Sequence, residues 1–156
     1  KAEGVHTNID TCGAVFTREE PFFSKLEELM KYTDLVMLDI KHIDDEQHKI
    51  LTGCTNENIL DFAKYLDEIK KPVWIRHVLV PERSDKDEYL TRLADFIHSL
   101  DNVEKVEILP YHTMGTYKYE QLGLDYPLKG VEPLSKERLD NAKAIFSRYK
   151  PENNKA

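Results

Sequence analysis

Residues 34–44 read DLVMLDIKHID; they begin as a buried β-strand and end on charge. Apolar residues run straight into Asp39, Ile40 and Lys41 with no turn signal between them. In an extended strand successive side chains alternate faces, so Met37, Asp39 and Lys41 share one side and leave an acid and a base together at the strand's exit. Such an exit is a place for a ligand.

The same strand-then-helix pattern recurs on both sides of this stretch. Before it, residues 4–10 read as a strand, and REEPFFSKLEELMKY carries Phe22, Leu26, Leu29 and Met30 at helical spacing behind acids that suit a helix start. After it, a short acidic turn or helix over 44–51 is separated by Gly53 from a helix over 56–70 with Ile59, Phe62, Ala63, Leu66 and Ile69 on one face. PVWIRHVLVP, bracketed by Pro72 and Pro81, is β-branched enough for a strand buried on both faces. Ser84 or Asp85 is then expected to cap a helix bearing Tyr89, Leu93, Phe96, Ile97 and Leu100. NVEKVEILPYH is the fourth strand, followed by a loop over 113–132 and a helix over 135–149 that starts at Ser135. Four alternations predict an α/β fold with a parallel sheet, right-handed crossovers and helices outside it. Ligands of such folds bind at the carboxyl ends of the strands, whether the sheet is open or closed into a barrel.

Composition narrows the classes. The 156 residues, 40% hydrophobic, suit one domain with one core. A net charge of -7 speaks against nucleic-acid or anionic-membrane partners, because the 22 Lys and Arg are dispersed rather than gathered into a basic patch. No run approaches the roughly 18 apolar residues of a membrane span, and Lys1 opens without a signal segment, so a cytoplasmic protein is expected. Cys12 and Cys54 form no disulfide framework and no C-x-x-C spacing. A chain that opens on Lys rather than Met is expected to be the interior of a longer polypeptide.

At the four strand ends stand NIDTCG, MLDIKH, WIRHV and LPYHTMG, which bring Asp10, Asp39, Lys41, Arg76 and His112 to one rim. Each has a structural alternative. Asp10 with Thr11 and Gly13 suits an Asx-turn, Asp39 and Lys41 a neutralising ion pair, and Arg76 a partner for Asp39 across the sheet; His112 suits an ordinary loop position. His6, His42, His48, His77 and His98 are read as structural, with His77 facing away from Arg76. No G-x-G-x-x-G, G-x-x-x-x-G-K-[ST] or G-x-S-x-G occurs, which removes the common phosphate cradles and the hydrolase elbow. Tyr117, Tyr119 and Tyr126 in the long loop read as packing.

NIDTCG, TDLVMLDIKHID, FAKYLDEIKKPVWIRHVLVP, NVEKVEILPYHTMG and YPLKGVEPLSKERLDNAKAIF together resemble the C-terminal part of the pyruvate formate-lyase activating enzymes, a radical S-adenosylmethionine family. The resemblance covers nearly the whole chain and implies four βα units of a partial, TIM-like (β/α)6 barrel. It also implies a 4Fe-4S cluster that reduces S-adenosylmethionine, giving a 5'-deoxyadenosyl radical that takes hydrogen from a glycine of pyruvate formate-lyase. A flavodoxin- or ferredoxin-type reductant goes with that chemistry. By the same resemblance Lys41 and His112 contact S-adenosylmethionine, Asp10, Thr11, Asp39 and the Met37 carbonyl hold a monovalent cation, and Arg76 lines the cavity. The sequence departs from the family in lacking the C-x-x-x-C-x-x-C that binds the cluster and the Gly-Gly-Glu segment. The 156 residues alone are therefore expected to be inactive, with the edge at residues 4–10 uncovered and open to self-association. An activating enzyme for another glycyl radical enzyme and a non-redox (βα)4 binding domain are the alternatives.

Overall fold

The computed structural model of the protein describes residues 1–147. Ten elements follow in order: β1 (Asn8–Thr11), α1 (Phe22–Lys31), β2 (Leu35–Asp39), α2 (Asp45–Thr52), α3 (Glu57–Glu68), β3 (Val73–Leu79), α4 (Asp87–His98), β4 (Val103–Pro110), α5 (Thr116–Gln121) and α6 (Lys136–Ser147). The strands form one sheet in the order β1-β2-β3-β4, and every pairing is parallel. The four βα alternations expected from the sequence are all present.

The two faces of the sheet differ. Along β3, Val73, Ile75, His77 and Leu79 are buried, whereas Trp74, Arg76 and Val78 between them are half-buried. The buried face carries the core: Val36, Leu38, Ile40, Ile75 and Leu79 pack with Ile59, Phe62 and Leu66 of α3, Leu90 and Leu93 of α4, and Ala142 and Ile145 of α6. Each fully buried Leu or Ile there contributes on the order of 1.5–3 kcal/mol by leaving water. Among the described residues the other face mixes Met37, Trp74 and Val78 with the charged Asp39 and Arg76.

Local chemistry explains most element ends. Asp44 starts α2 by accepting from Gln47 N at 3.2 Å, and Gly53 stops it at φ 81°, in the left-handed region that favours glycine. Ser135 accepts from Arg138 N at 3.2 Å and starts α6 as expected; the expected helix end at Tyr149 lies outside the described residues.

Several boundaries differ from the sequence expectation. The first strand begins at Asn8 rather than residue 4, because Gly4, at φ 69°, donates its N–H to Lys1 O at 2.9 Å and turns the chain. Neither Ser84 nor Asp85 caps α4, whose N-cap residue is Lys86. The Ser84 hydroxyl instead donates to Val78 O at 2.8 Å and accepts from Val80 N at 2.9 Å, while Asp85 accepts from Glu82 N at 2.8 Å. The long loop contains a short helix, α5, with no buried residue.

Candidate functional site

The sheet register brings the rim charges together. Asp39, the last residue of β2, stands opposite Arg76 of β3, and Asp10 of β1 stands opposite Met37, two residues earlier. Arg76 reaches both acids. Its Nε donates to Asp39 Oδ1 at 2.7 Å, its Nη1 to Asp10 Oδ2 at 2.9 Å, and its Nη2 to Asp10 Oδ1, a fork-to-carboxylate contact. Lys41 Nζ donates to the remaining Asp39 oxygen, Oδ2, at 2.7 Å. The result is an alternating chain, Lys41–Asp39–Arg76–Asp10, crossing three strands and formally neutral.

Burial along this chain is uneven. The Arg76 and Asp39 side chains are 19% and 18% exposed, against 53% for Asp10. The Asp10 hydrogen bonds raise the Arg76 guanidinium above its ordinary value despite partial burial, and Asp39 adds to the effect. The pairings proposed as structural alternatives, Asp39 with Lys41 and Arg76 with Asp39, are therefore real contacts. They are also the groups a zwitterionic ligand needs.

Backbone geometry sets the near wall. Gly13, at φ 69°, follows the strand end, and its N–H donates to Thr11 Oγ1 at 3.0 Å. A Cβ at Gly13 would stand 2.8 Å from Phe62 Cδ1 and 3.3 Å from Leu38 Cδ1, so the chain passes directly over the core here. Glycine answers both demands.

Arg76 and His112 are not at strand ends of equal height. β3 runs three residues past Arg76 and β4 three past Glu107, which is Arg76's partner, so Arg76 is central in its strand. His112, exposed, stands five residues beyond Glu107, roughly 16 Å along an extended chain. It takes no part in the charge network.

The same face extends further than the sequence reading carried it. Trp74 stands opposite Lys105, whose ammonium lies 4.5 Å from the centroid of the Trp74 ring, and Lys105 pairs with Glu107. Alternation along VWIR and VEKVE is the signal that places these residues beside Arg76. Two of the three loop tyrosines expected to pack do so, since Tyr126 meets Tyr119 edge-on at 4.9 Å and shares a 2.8 Å hydrogen bond with Tyr111, whereas Tyr117 is exposed. Burial, with that hydrogen bond, pushes the Tyr126 hydroxyl up to about 12.

Cofactor fit divides in two. Asp10, Asp39 and Lys41 offer carboxylates and an ammonium, groups suited to an amino-acid zwitterion, while the Thr11 hydroxyl, next along β1, accepts from Gly13 N. A guanidinium already lies between the two carboxylates, which is direct evidence that they hold positive charge. An iron–sulfur cluster does not fit: Cys12 and Cys54 are the two cysteines of the chain, both free and exposed. Among the described residues no three His, Cys, Asp or Glu side chains converge as a metal site.

A parallel βα sheet with a mixed-charge network on one face defines an α/β protein. Residues 1–94 match the Radical SAM superfamily, more than half of the chain, and the chain belongs to that superfamily. It is 51% identical over 146 residues to the pyruvate formate-lyase-activating enzyme of Streptococcus mutans, covering 94% of this chain and 56% of the relative. It is 51% identical over 152 residues to the enzyme of that name from Listeria monocytogenes, covering 96% and 61%, and 53% identical over 142 residues to that from Staphylococcus epidermidis, covering 91% and 57%. The chain thus spans a little over half the length of these relatives. Among solved structures, a domain of pyruvate-formate lyase-activating enzyme from Bacteroides vulgatus superposes with a TM-score of 0.74 at 23% identity, covering 95% of this chain and 79% of that one. Streptococcus suis SuiB superposes at 0.64 with 18% identity, covering 93% and 30%. The fold is that of the radical SAM (β/α) barrel proteins. Among the described residues no helix is long and apolar enough to cross a membrane.

Proposed function

We propose that this chain forms the S-adenosylmethionine-facing part of a pyruvate formate-lyase-activating enzyme. The observation that carries the proposal is the Lys41–Asp39–Arg76–Asp10 chain on one face of three adjacent strands, in a sequence 51–53% identical to enzymes of that name. Held by these residues, S-adenosylmethionine would supply the hydrogen-abstracting chemistry that acts on a glycine of pyruvate formate-lyase.

The chain's own residues bind and orient. Lys41 pairs with the methionyl carboxylate, and Asp39 faces the methionyl ammonium. Asp10, Asp39, Thr11 and the Met37 carbonyl surround a monovalent cation beside that carboxylate with hard oxygen donors. Arg76 holds the two acids at fixed separation and lines the cavity. His112 contacts the same cofactor from the loop beyond β4. The cluster's thiolates come from outside these 156 residues, and a flavodoxin- or ferredoxin-type reductant would supply the electron. β1 pairs on one side only, with β2, and that edge is open to pairing with another copy until it is covered.

Two measurements test the proposal. In the full-length enzyme, Lys41→Ala is expected to abolish cleavage of S-adenosylmethionine while iron content stays at the wild-type value; normal cleavage contradicts the assignment. Anaerobic reconstitution of the 156-residue chain is expected to leave it without iron, and a stoichiometric cluster there would overturn the division of labour.

A further inference from the structure

We infer that His77, on the buried face of β3, is a positioning residue for the acid and base on the opposite face. β2 ends at Asp39, so the sheet ladder stops one residue short of Ile40, the residue that joins Asp39 to Lys41. Ile40 is fully buried and both its backbone groups need partners there. Its N–H donates to Arg76 O at 3.0 Å. Its carbonyl accepts from His77 Nδ1 at 2.8 Å. Two consecutive residues of β3 thus hold the two peptide units that flank Ile40, Asp39–Ile40 and Ile40–Lys41, on which the spacing of Asp39 and Lys41 depends.

The imidazole suits this use. His77 is 2% exposed, and its other nitrogen, Nε2, has no hydrogen-bond partner among the described residues. Donation to a carbonyl requires the proton on Nδ1, and burial favours the neutral ring. The Nδ1 bond to Ile40 O is the one with full hydrogen-bond geometry, while the Ser84 backbone lies near the ring as well. Phe146, with its ring centre 6.4 Å away, packs against it and limits its rotation. Without that donor the Ile40 carbonyl is a buried acceptor with no partner, and the chain relaxes by turning the peptide that carries Lys41.

The inference rests on the proposed cofactor role of Lys41 and Asp39, and its test separates the two. Asparagine places its amide nitrogen near the position of imidazole Nδ1, whereas glutamine reaches toward Nε2 and fills more of the ring's volume. A residue that only packs would tolerate His77→Gln better than His77→Asn. A residue that positions Ile40 through Nδ1 gives the reverse order. The first readout is the amide exchange rate of Ile40 in the full-length enzyme, which needs no ligand. Protection kept in His77→Asn and lowered about tenfold in His77→Gln, the order one buried hydrogen bond carries, supports positioning; equal protection, or the opposite order, overturns it. The second is the dissociation constant of S-adenosylmethionine for the cluster-loaded full-length enzyme. Weakening in His77→Gln but not in His77→Asn is expected, and equal affinities at unequal Ile40 protection overturn the link from His77 to the cofactor. Failure of the wild-type enzyme to bind the cofactor instead contradicts the proposed function and leaves the exchange result to decide the His77 contact.

Discussion

The two faces of one four-stranded sheet follow opposite rules. On the face toward α3, α4 and α6, Leu38, Ile75 and Leu79 are fully buried and interchangeable in kind, each acting through the water it excludes. On the other face, Asp39, Lys41, Arg76 and Asp10 act through direction and charge, and changing one leaves another without its partner. The difference teaches that stability and function are separated by the period-two alternation of a strand. Neighbours such as Ile75 and Arg76 serve different ends while sharing a backbone.

The largest expected effect breaks the apolar face. Leu38→Ala removes a fully buried side chain beside Phe62 and Gly13 and is expected to cost about 3 kcal/mol, read by urea unfolding. A loss under about 1 kcal/mol would mean that this face is not the core.

Gly13→Ala is next, at about 2 kcal/mol, because its Cβ meets Phe62 at 2.8 Å and its φ of 69° suits glycine. Paired with Leu38→Ala it becomes a sharper test. The smaller side chain frees space beside Gly13, so the double variant should lose less than the sum.

Arg76→Ala, on the charged face, is expected to cost only about 1 kcal/mol in folding, since its partners are partly solvated, and less at high salt. Its larger consequence falls on the binding of cations and cofactor. A folding loss as large as that of Leu38→Ala would erase the distinction between the faces.

The smallest effect concerns acid. Burial holds the His42 and His77 imidazoles below their ordinary value. The unfolded chain then binds more protons than the folded one as pH falls through the ordinary histidine range near 6.5, so stability is lost on acidification. A decrease in Tm of about 3 °C from pH 7.5 to 5.5 is expected. Asp44 and Asp45, held low by Arg92 and Lys49 respectively, extend the loss below about pH 3.9 as those carboxylates protonate. A flat profile down to pH 5 contradicts the burial of neutral histidines.

Much of this division was legible in the residues. Apolar runs ending in Asp39 and Lys41, β-branched VWIRHVLV and helices with one apolar face marked the elements and their order. Alternation put His77 opposite Arg76 and put Met37, Asp39 and Lys41 on one side. What was hidden depends on tertiary register. Nothing local says that β3 and β4 outrun β2, which is why Arg76 lies in mid-strand and His112 stands away from the network. Ser84 looked like a helix cap because its type suits one, yet Val78 near the end of β3 and Val80 just past it compete for the hydroxyl and win. Thr7 is drawn out of the strand pattern by Asp34, which accepts its N–H at 2.8 Å, a contact between residues 27 apart. α5 has too few residues to show a period.

The most direct test of the central claim is a double-mutant cycle on S-adenosylmethionine affinity, measured with the cluster-loaded full-length enzyme carrying Lys41→Ala, Asp39→Asn or both. If the charged face recognises the methionyl group, each single variant weakens binding at least about tenfold and the double variant falls short of the product, because the two residues are coupled through a 2.7 Å contact. Unchanged affinity in both singles, with iron content and fold intact, would leave Lys41–Asp39–Arg76–Asp10 as a structural ion network and place the cofactor elsewhere.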